Sequence, residues 1–386
     1  MNKYKILAAV VATALMSVAG VASAQVAIKG GGASLPADLY KGSTDSILPS
    51  NFSYAVTGSG TGKTAFLTNN SALFNTTGTV HFAGSDSVLS ATEISTYNTN
   101  FRPTYGPILQ FPSVATSVTI PFNKAGDALN ISDANLCGIF AGTITTWEGV
   151  ENSGRTGAIQ VVYRPESSGT SELLTRFLST MCVAHPIATS TLKGEVFSVQ
   201  STFANLFDGN VVPANFVAAP ATGGTSLYTA VYAQEGRIGY VGPDVIPNLS
   251  DATKVAKLRD KSPSEVNVSQ TLDLIAPPST AADLADPSKW VPVFTNPSDG
   301  YPIAGYTNFD IGQCYKALAV TNQLRLFLQT HYNLGVTGTN DNAVRARGFI
   351  PLTRTWREAI RNNLVESSSV NGLGNAATCG TSGRPV

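Results

Sequence analysis

Ser53-Tyr54-Ala55-Val56-Thr57-Gly58-Ser59-Gly60-Thr61-Gly62-Lys63-Thr64-Ala65-Phe66-Leu67 carries the pattern that decides the fold. Its first four residues predict a strand, Gly58 to Gly62 a glycine turn, and Lys63 to Leu67 the opening of a helix. The same succession recurs. Val80 to Ala83 predicts a strand that stops at Gly84-Ser85-Asp86-Ser87, and Ser90-Ala91-Thr92-Glu93 then has the spacing of a helix-starting capping box. Ile159 to Tyr163 predicts a buried strand, followed by Arg164-Pro165-Glu166-Ser167-Ser168-Gly169-Thr170-Ser171 and a helix from about Thr170 to Met181. Near the start, Gly30-Gly31-Gly32-Ala33-Ser34-Leu35-Pro36 leads into a short helix expected over Ala37 to Ser46. Strand, turn and helix in repetition argue for an α/β layer fold with ligand sites at the carboxyl ends of the strands.

Three of these turns are rich in glycine, serine and threonine, and each runs into a helix. A helix start offers backbone N–H groups with no intrahelical acceptor and a positive partial charge from the aligned peptide dipoles. Glycine lets the backbone approach a ligand, and hydroxyls add donors without charge. Three such starts converging would bind a phosphate-sized anion. The segment is not a nucleotide-binding phosphate loop, because that motif needs glycine where Thr57 stands. Lys63 is therefore expected to be solvated or paired locally.

Met1 to Ala24 has a basic start (Lys3, Lys5), an apolar run from Ile6 to Val21 and a small-residue end, Ala22-Ser23-Ala24, which predicts a signal peptide over residues 1–24 with cleavage near Gln25. The whole chain has 25 basic and 25 acidic residues; losing the two leader lysines leaves 362 residues with a net charge of −2. That balance, with no block of Lys or Arg, argues against a nucleic-acid partner. A local site must hold any anion.

Four cysteines in an exported chain favour two disulfides. Of the three connectivities, Cys137–Cys182 and Cys314–Cys379 are expected, because each closes a loop inside one expected domain. No CxxC occurs and His81, His185 and His331 are far apart, so no metal site is expected. Ser132 and Asp133 can cap the helix that carries Cys137. Arg237 to Val241 is strand-like, Pro243 to Pro297 reads as surface elements and loops, and helices are expected over 313–331, 340–347 and 353–365. The apolar runs Val114 to Phe122 and Tyr301 to Ile311 predict two long connections, near residues 113–122 and 300–311. They imply a discontinuous lobe I (25–113 and 301–386), a lobe II (114–300), two interlobe crossings and a ligand cleft between the lobes.

Several motifs in order, GGGASLP (30–36), GSGTGKTAFLTN (58–69), FAGSDSVLSATE (82–93), FPSVATSVTIPFNK (111–124) and YRPESSGTSELLTRFL (163–178), make the chain similar to the DING-type proteins of the periplasmic phosphate-binding family, receptors of phosphate ABC import. The name-giving Asp-Ile-Asn-Gly start appears here as Ala27-Ile28-Lys29-Gly30, ahead of the cradle, and the usual Ala-Thr-Leu-Pro as Ala33-Ser34-Leu35-Pro36. The resemblance implies a two-lobed α/β periplasmic binding protein fold (type II, a flytrap) and a monomer in the periplasm or secreted. It implies no cofactor, inorganic phosphate as ligand, and a membrane permease as partner. It also implies phosphate contacts from Ser34, Leu35, Ser59, Asp86, Arg164, Ser168, Gly169 and Thr170, and no catalytic residue. Arg164 can offer a planar pair of donors. Asp86 can accept the proton of hydrogen phosphate and repel sulfate, which has none.

Two rival functions follow from the same residues. Asp86-Ser87 is superficially similar to the nucleophile segment of alkaline phosphatases, and some DING-type relatives are associated with phosphomonoesterase activity. Against it, no GxSxG elbow occurs. The other rival is a surface adhesive protein that uses phosphate as a structural ligand.

Overall fold

The computed structural model describes residues 26–185, 187 and 190–385. The expected signal peptide lies outside them. Among the described residues no helix is long and apolar enough to cross a membrane.

Two sheets divide the strands. The first has the order β2-β1-β3-β11-β4, from β1 (Ile28–Gly32), β2 (Phe52–Val56), β3 (Phe82–Ser85), β4 (Ile108–Ser117) and β11 (Ala304–Gly312). β1 runs parallel to β2 and β3, whereas β11 runs antiparallel to β3 and β4. The second has the order β5-β9-β7-β8, from β5 (Phe122–Asn123), β7 (Gln160–Tyr163), β8 (Phe216–Ala218) and β9 (Arg237–Ile238). A short parallel pair, β6 (Asn130–Ile131) with β10 (Lys257–Leu258), completes the strands. Every residue of β11 and all of β4 after Ile108 is buried, so these two strands read as near-continuous runs rather than alternating ones. The chain leaves the first sheet at the end of β4, enters the second within a few residues at β5, and returns through β11. The architecture is the expected two-lobed α/β fold with two crossings.

Helices α1 (Ala37–Lys41), α2 (Ser59–Thr68), α3 (Ala91–Asn100), the single turn α4 (Arg102–Tyr105), α5 (Asp133–Ala141), α6 (Gly169–Met181) and α7 (Gly224–Tyr232) follow the strands. Local chemistry explains their starts. Ser90 accepts the Glu93 N–H while Glu93 bonds back to the Ser90 N–H, the reciprocal box that the sequence predicts. Ser132 caps α5 and Ser168 caps α6 through the N–H three residues on. The disulfides join Cys137 to Cys182 and Cys314 to Cys379, the expected pairing.

Four local expectations need correction. Gly30 to Gly32 lie inside β1 instead of forming a turn, and α1 stops at Lys41. β4 begins at Ile108, ahead of the expected Val114. α2 opens at Ser59, four residues before Lys63, which is buried and paired with Glu93 at 3.1 Å. The reason is packing: a Cβ on Gly60 would sit 2.4 Å from Ser167 Oγ, and one on Gly62 2.4 Å from the Cα of Gly32. These glycines bring α2 against β1 and against the second lobe. Gly62→Val should overpack the α2–β1 contact and lower unfolding free energy by about 1–3 kcal/mol in a denaturant titration; an unchanged midpoint would show that the contact yields freely.

Candidate functional site

Each of the eight expected contact residues follows the carboxyl end of a strand. Ser34 and Leu35 follow β1, Ser59 follows β2, Asp86 follows β3, and Arg164 follows β7 with Ser168, Gly169 and Thr170 just beyond. The structure draws them to one place where the two lobes touch. Arg164 Nη2 donates to Ser34 Oγ at 3.0 Å across the cleft. A Cβ on Gly169 would lie 2.4 Å from the Asp86 Cβ and 2.6 Å from Ser59 Oγ, so the first residue of α6 sits directly on the Asp86–Ser59 pair. Gly58 approaches the Ser167 carbonyl as closely, where an added Cβ would meet the oxygen at 2.6 Å.

Two helix starts face this place. α2 has Gly58 as its N-cap and no side-chain cap, and its first intrahelical bond runs from the Gly62 N–H to the Gly58 carbonyl. The N–H groups of Ser59, Gly60 and Thr61 therefore have no intrahelical acceptor. In α6 the Ser168 hydroxyl takes the Ser171 N–H at 3.3 Å, and the helix geometry leaves the Gly169 and Thr170 N–H groups as donors. Asp86, Arg164, Ser168 and Thr170 are all at least 97% buried. The third turn contributes Ser34 and the buried Leu35; its helix, α1, is a short one.

Neutral groups hold Asp86, and a carboxylate holds Arg164. Asp86 Oδ1 accepts from Thr307 Oγ1 at 2.7 Å, while Ser59 Oγ donates to Oδ2 at 3.5 Å and accepts the Asp86 N–H at 3.1 Å. Burial pushes the Asp86 carboxyl up to about 6, against the opposing pull of Thr307, Arg164 and Ser59. Arg164 pairs through Nε with Glu166 Oε1, which also accepts the Gly223 N–H at 3.0 Å. The Arg164 N–H donates to the Tyr240 hydroxyl at 3.1 Å, and that hydroxyl lies 2.7 Å from Ser171 Oγ. One guanidinium thus points one nitrogen into the cleft while another is tied to a carboxylate behind it.

Sequence reading missed five neighbours of this site. Thr307 sits in the middle of β11, Tyr240 and Ser171 hold Arg164 from behind, and Glu166 orients it. Asp244, near Leu35, has a buried Oδ1 with no protein partner, and its carboxyl is pushed up to about 7 by burial, with Asp86 and Asp38 adding repulsion. Only Glu166 and Ser171, inside the quoted YRPESSGTSELLTRFL run, had a local signal. Two histidines are committed elsewhere: His81 Nδ1 accepts the Lys29 N–H at 2.8 Å, and His331 lies between the Ser113 carbonyl and Asn340. No group of three His, Cys, Asp or Glu suited to a metal ion occurs among the described residues.

A domain model described as a PBP superfamily domain matches residues 18–327. Alkaline phosphatase L of Pseudomonas aeruginosa (strain PAO1) is 52% identical over 377 residues, covering 96% of this chain and 98% of that protein. Among solved structures, a phosphate-binding protein from Stenotrophomonas maltophilia is 61% identical with a TM-score of 0.88, over 94% of this chain and all of that one. The high-affinity periplasmic phosphate-binding protein PfluDING, solved with bound phosphate, is 43% identical with a TM-score of 0.83 over the same shares.

Because its folded-state pKa lies above the unfolded value of 3.8, Asp86 favours the native state fully below pH 4, and that contribution is lost as pH rises through about 6. Asp86→Asn should therefore stabilise the ligand-free protein at pH 8 by up to about 3 kcal/mol relative to wild type, with the gap closing toward pH 4. Parallel denaturation curves at the two pH values check this; a gap independent of pH would show that the carboxyl is not strained by burial.

Proposed function

We propose that this chain, which belongs to the PBP superfamily and to its DING-type group, binds inorganic phosphate as hydrogen phosphate between its two lobes and presents it to the permease of an ABC importer. The observation that carries this reading is a buried carboxyl at the centre of an anion cradle. Asp86 lies beside two helix starts and Arg164, where a carboxylate alone would weaken the binding of any anion. With a protonated anion it becomes an acceptor. Hydrogen phosphate can donate its proton to Asp86, whereas sulfate offers a fourth oxygen and repulsion.

The remaining contacts follow from the donors. Arg164 Nη2 and the Ser34 hydroxyl would face one side of the anion, the Ser59 hydroxyl and first-turn N–H groups another, and the Gly169 and Thr170 N–H groups a third, with Leu35 and Ser168 closing the shell. Arg164 and Glu166 cancel in net charge, so attraction rests on oriented dipoles and on one guanidinium edge aimed at the ligand. Micromolar affinity corresponds to about −8.2 kcal/mol. Helix starts at roughly 0.3–1 kcal/mol each fall short of that, so the desolvated Arg164 contact and water exclusion by lobe contact supply the balance. The lobe boundaries of the reading are 25–113 with 301–386 and 114–300, the place is the periplasm or the medium after loss of residues 1–24, and the working form is a monomer that needs no cofactor.

One observation favours a second reading, a phosphomonoesterase: the name carried by the relative from P. aeruginosa. In the fold the Ser87 hydroxyl is buried and lies 3.2 Å from Ser85 Oγ, while His81 and His331 make the bonds already described. A serine nucleophile needs an adjacent base or metal to be activated, and the hydrogen-bond partner of the Ser87 hydroxyl is the Ser85 hydroxyl.

Calorimetric titration of ligand-stripped protein should give one phosphate per chain, with affinity unaffected by excess sulfate. Arg164→Ala should weaken binding by at least about 100-fold, the lower limit for two lost charge-assisted bonds, and Asp86→Asn should narrow the preference over sulfate. Folded protein that ignores phosphate overturns the reading. Hydrolysis of an aryl phosphate that disappears in Ser87→Ala would establish the esterase instead.

A further inference from the structure

The turn that presents Asp86 is anchored at every residue from Ser85 to Leu89. The Ser85 carbonyl accepts from Asn308 Nδ2 at 3.1 Å, and Asp86 is held by Thr307 and Ser59. The Ser87 carbonyl accepts from Ser85 Oγ at 2.7 Å, and the Val88 carbonyl from Lys63 Nζ at 3.2 Å. Gln110, on β4, holds the last part from below. Its Nε2 donates to the Ser87 carbonyl at 3.2 Å and to Asp310 Oδ1 at 2.7 Å, while its Oε1 accepts the Leu89 N–H at 2.8 Å.

This geometry fixes which way the amide faces. Ser87 O and Asp310 Oδ1 both require a donor, and Leu89 N–H requires an acceptor, so a flipped amide would meet two acceptors with its oxygen and a donor with its NH2. Asp310 lies directly across from Gln110 in the β11–β4 ladder and is fully buried, and its second oxygen has no protein partner. Burial pushes its carboxyl up to about 7, with Lys63 and the Gln110 bond pulling down. A proton on the free Oδ2 leaves Oδ1 as an acceptor, so the clamp on Gln110 holds in either state. A buried acid is a costly way to hold a strand pair that apolar residues would hold as well; here it aims an amide.

We propose that Gln110 and Asp310 act as positioning residues for Asp86, and that through it they set the preference for a protonated over an unprotonated anion. Asp310 orients the Gln110 amide, Gln110 pins Ser87 and Leu89, and the pinned turn holds the Asp86 carboxyl against Thr307 and the first residue of α6. This rests on the proposed phosphate site. If the turn loosens, Asp86 can swing from the ligand: phosphate loses its acceptor and sulfate loses its opposing charge.

The test compares wild type, Gln110→Met, Asp310→Asn and the double variant by titration with phosphate and with sulfate. Alongside, hydrogen exchange at the Leu89 amide is followed. Gln110→Met should lower the phosphate-to-sulfate affinity ratio by at least about tenfold, the size of one buried hydrogen bond, and should speed exchange at Leu89. Asp310→Asn, which can still present an oxygen, should have a smaller effect, and the double variant should match Gln110→Met rather than multiply the two. Should Gln110→Met fail to fold, Gln110→Asn, whose amide falls one methylene short, carries the same expectation. A folded Gln110 variant with an unchanged ratio, or a double variant whose losses multiply, overturns the proposal. Wild type that binds no phosphate overturns the site reading instead, and Leu89 exchange still tests the clamp.

Discussion

The structure turns on one contact: the first residue of α6 seated on the Asp86 carboxyl. It joins an element of each lobe, it needs glycine because a Cβ there would lie 2.4 Å from the Asp86 Cβ, and it removes water from a carboxylate. Everything near it is arranged so that a charge can be buried at tolerable cost. Thr307 and Ser59 donate to Asp86, Arg164 lies within electrostatic reach, and the turn around it is tied residue by residue. An unpaired buried carboxylate would destabilise the closed arrangement by several kcal/mol. The site accepts part of that strain and the raised pKa is its sign.

Net charge explains little here, and direction explains most. Arg164 and Glu166 cancel, Asp86 is negative, and the chain as a whole is balanced. On the proposed reading, what favours an anion is that N–H groups at the starts of α2 and α6 and one edge of the guanidinium point inward, while Glu166 and Tyr240 occupy the other edge and the backbone N–H of Arg164. Oriented dipoles in a dry place act at short range and are little screened by salt. A site so built can sit in a nearly neutral protein.

The sequence revealed what local chemistry decides. Capping at Ser90 and Ser132, strands ending in glycine and serine turns, and two long apolar runs each require only a few adjacent residues, and the disulfide pairing followed once two lobes were inferred. What escaped needs partners distant in the chain. Gly30 to Gly32 look like a turn until Phe82 and Ala55 are placed against them, and Gly60 and Gly62 look like helix breakers until Ser167 and Gly32 explain them. Thr307 and Asp310 sit inside a strand that reads as an apolar connection, and Gln110 lies ahead of the run expected to form β4. No spacing rule ties Gln110 to Asp310, 200 residues away; only the antiparallel register of β4 and β11 does.

That register has a functional consequence. β4 and β11 are the strands by which the chain leaves and re-enters the first lobe, and they also carry Gln110, Thr307, Asn308 and Asp310, which hold the Asp86 turn. The lobe connections and the residues that hold the Asp86 turn therefore share one strand pair. On the proposed reading, Asp86 stays fixed in the first lobe while α6 arrives with the second, so the carboxyl loses its water only as the lobes meet. Proton sharing with an anion strengthens as the local dielectric falls, and repulsion of an unprotonated anion strengthens with it. Discrimination then belongs to the closed state and grows with closure, because the movement that buries the ligand is the same one that makes the carboxylate intolerant of a ligand without a proton.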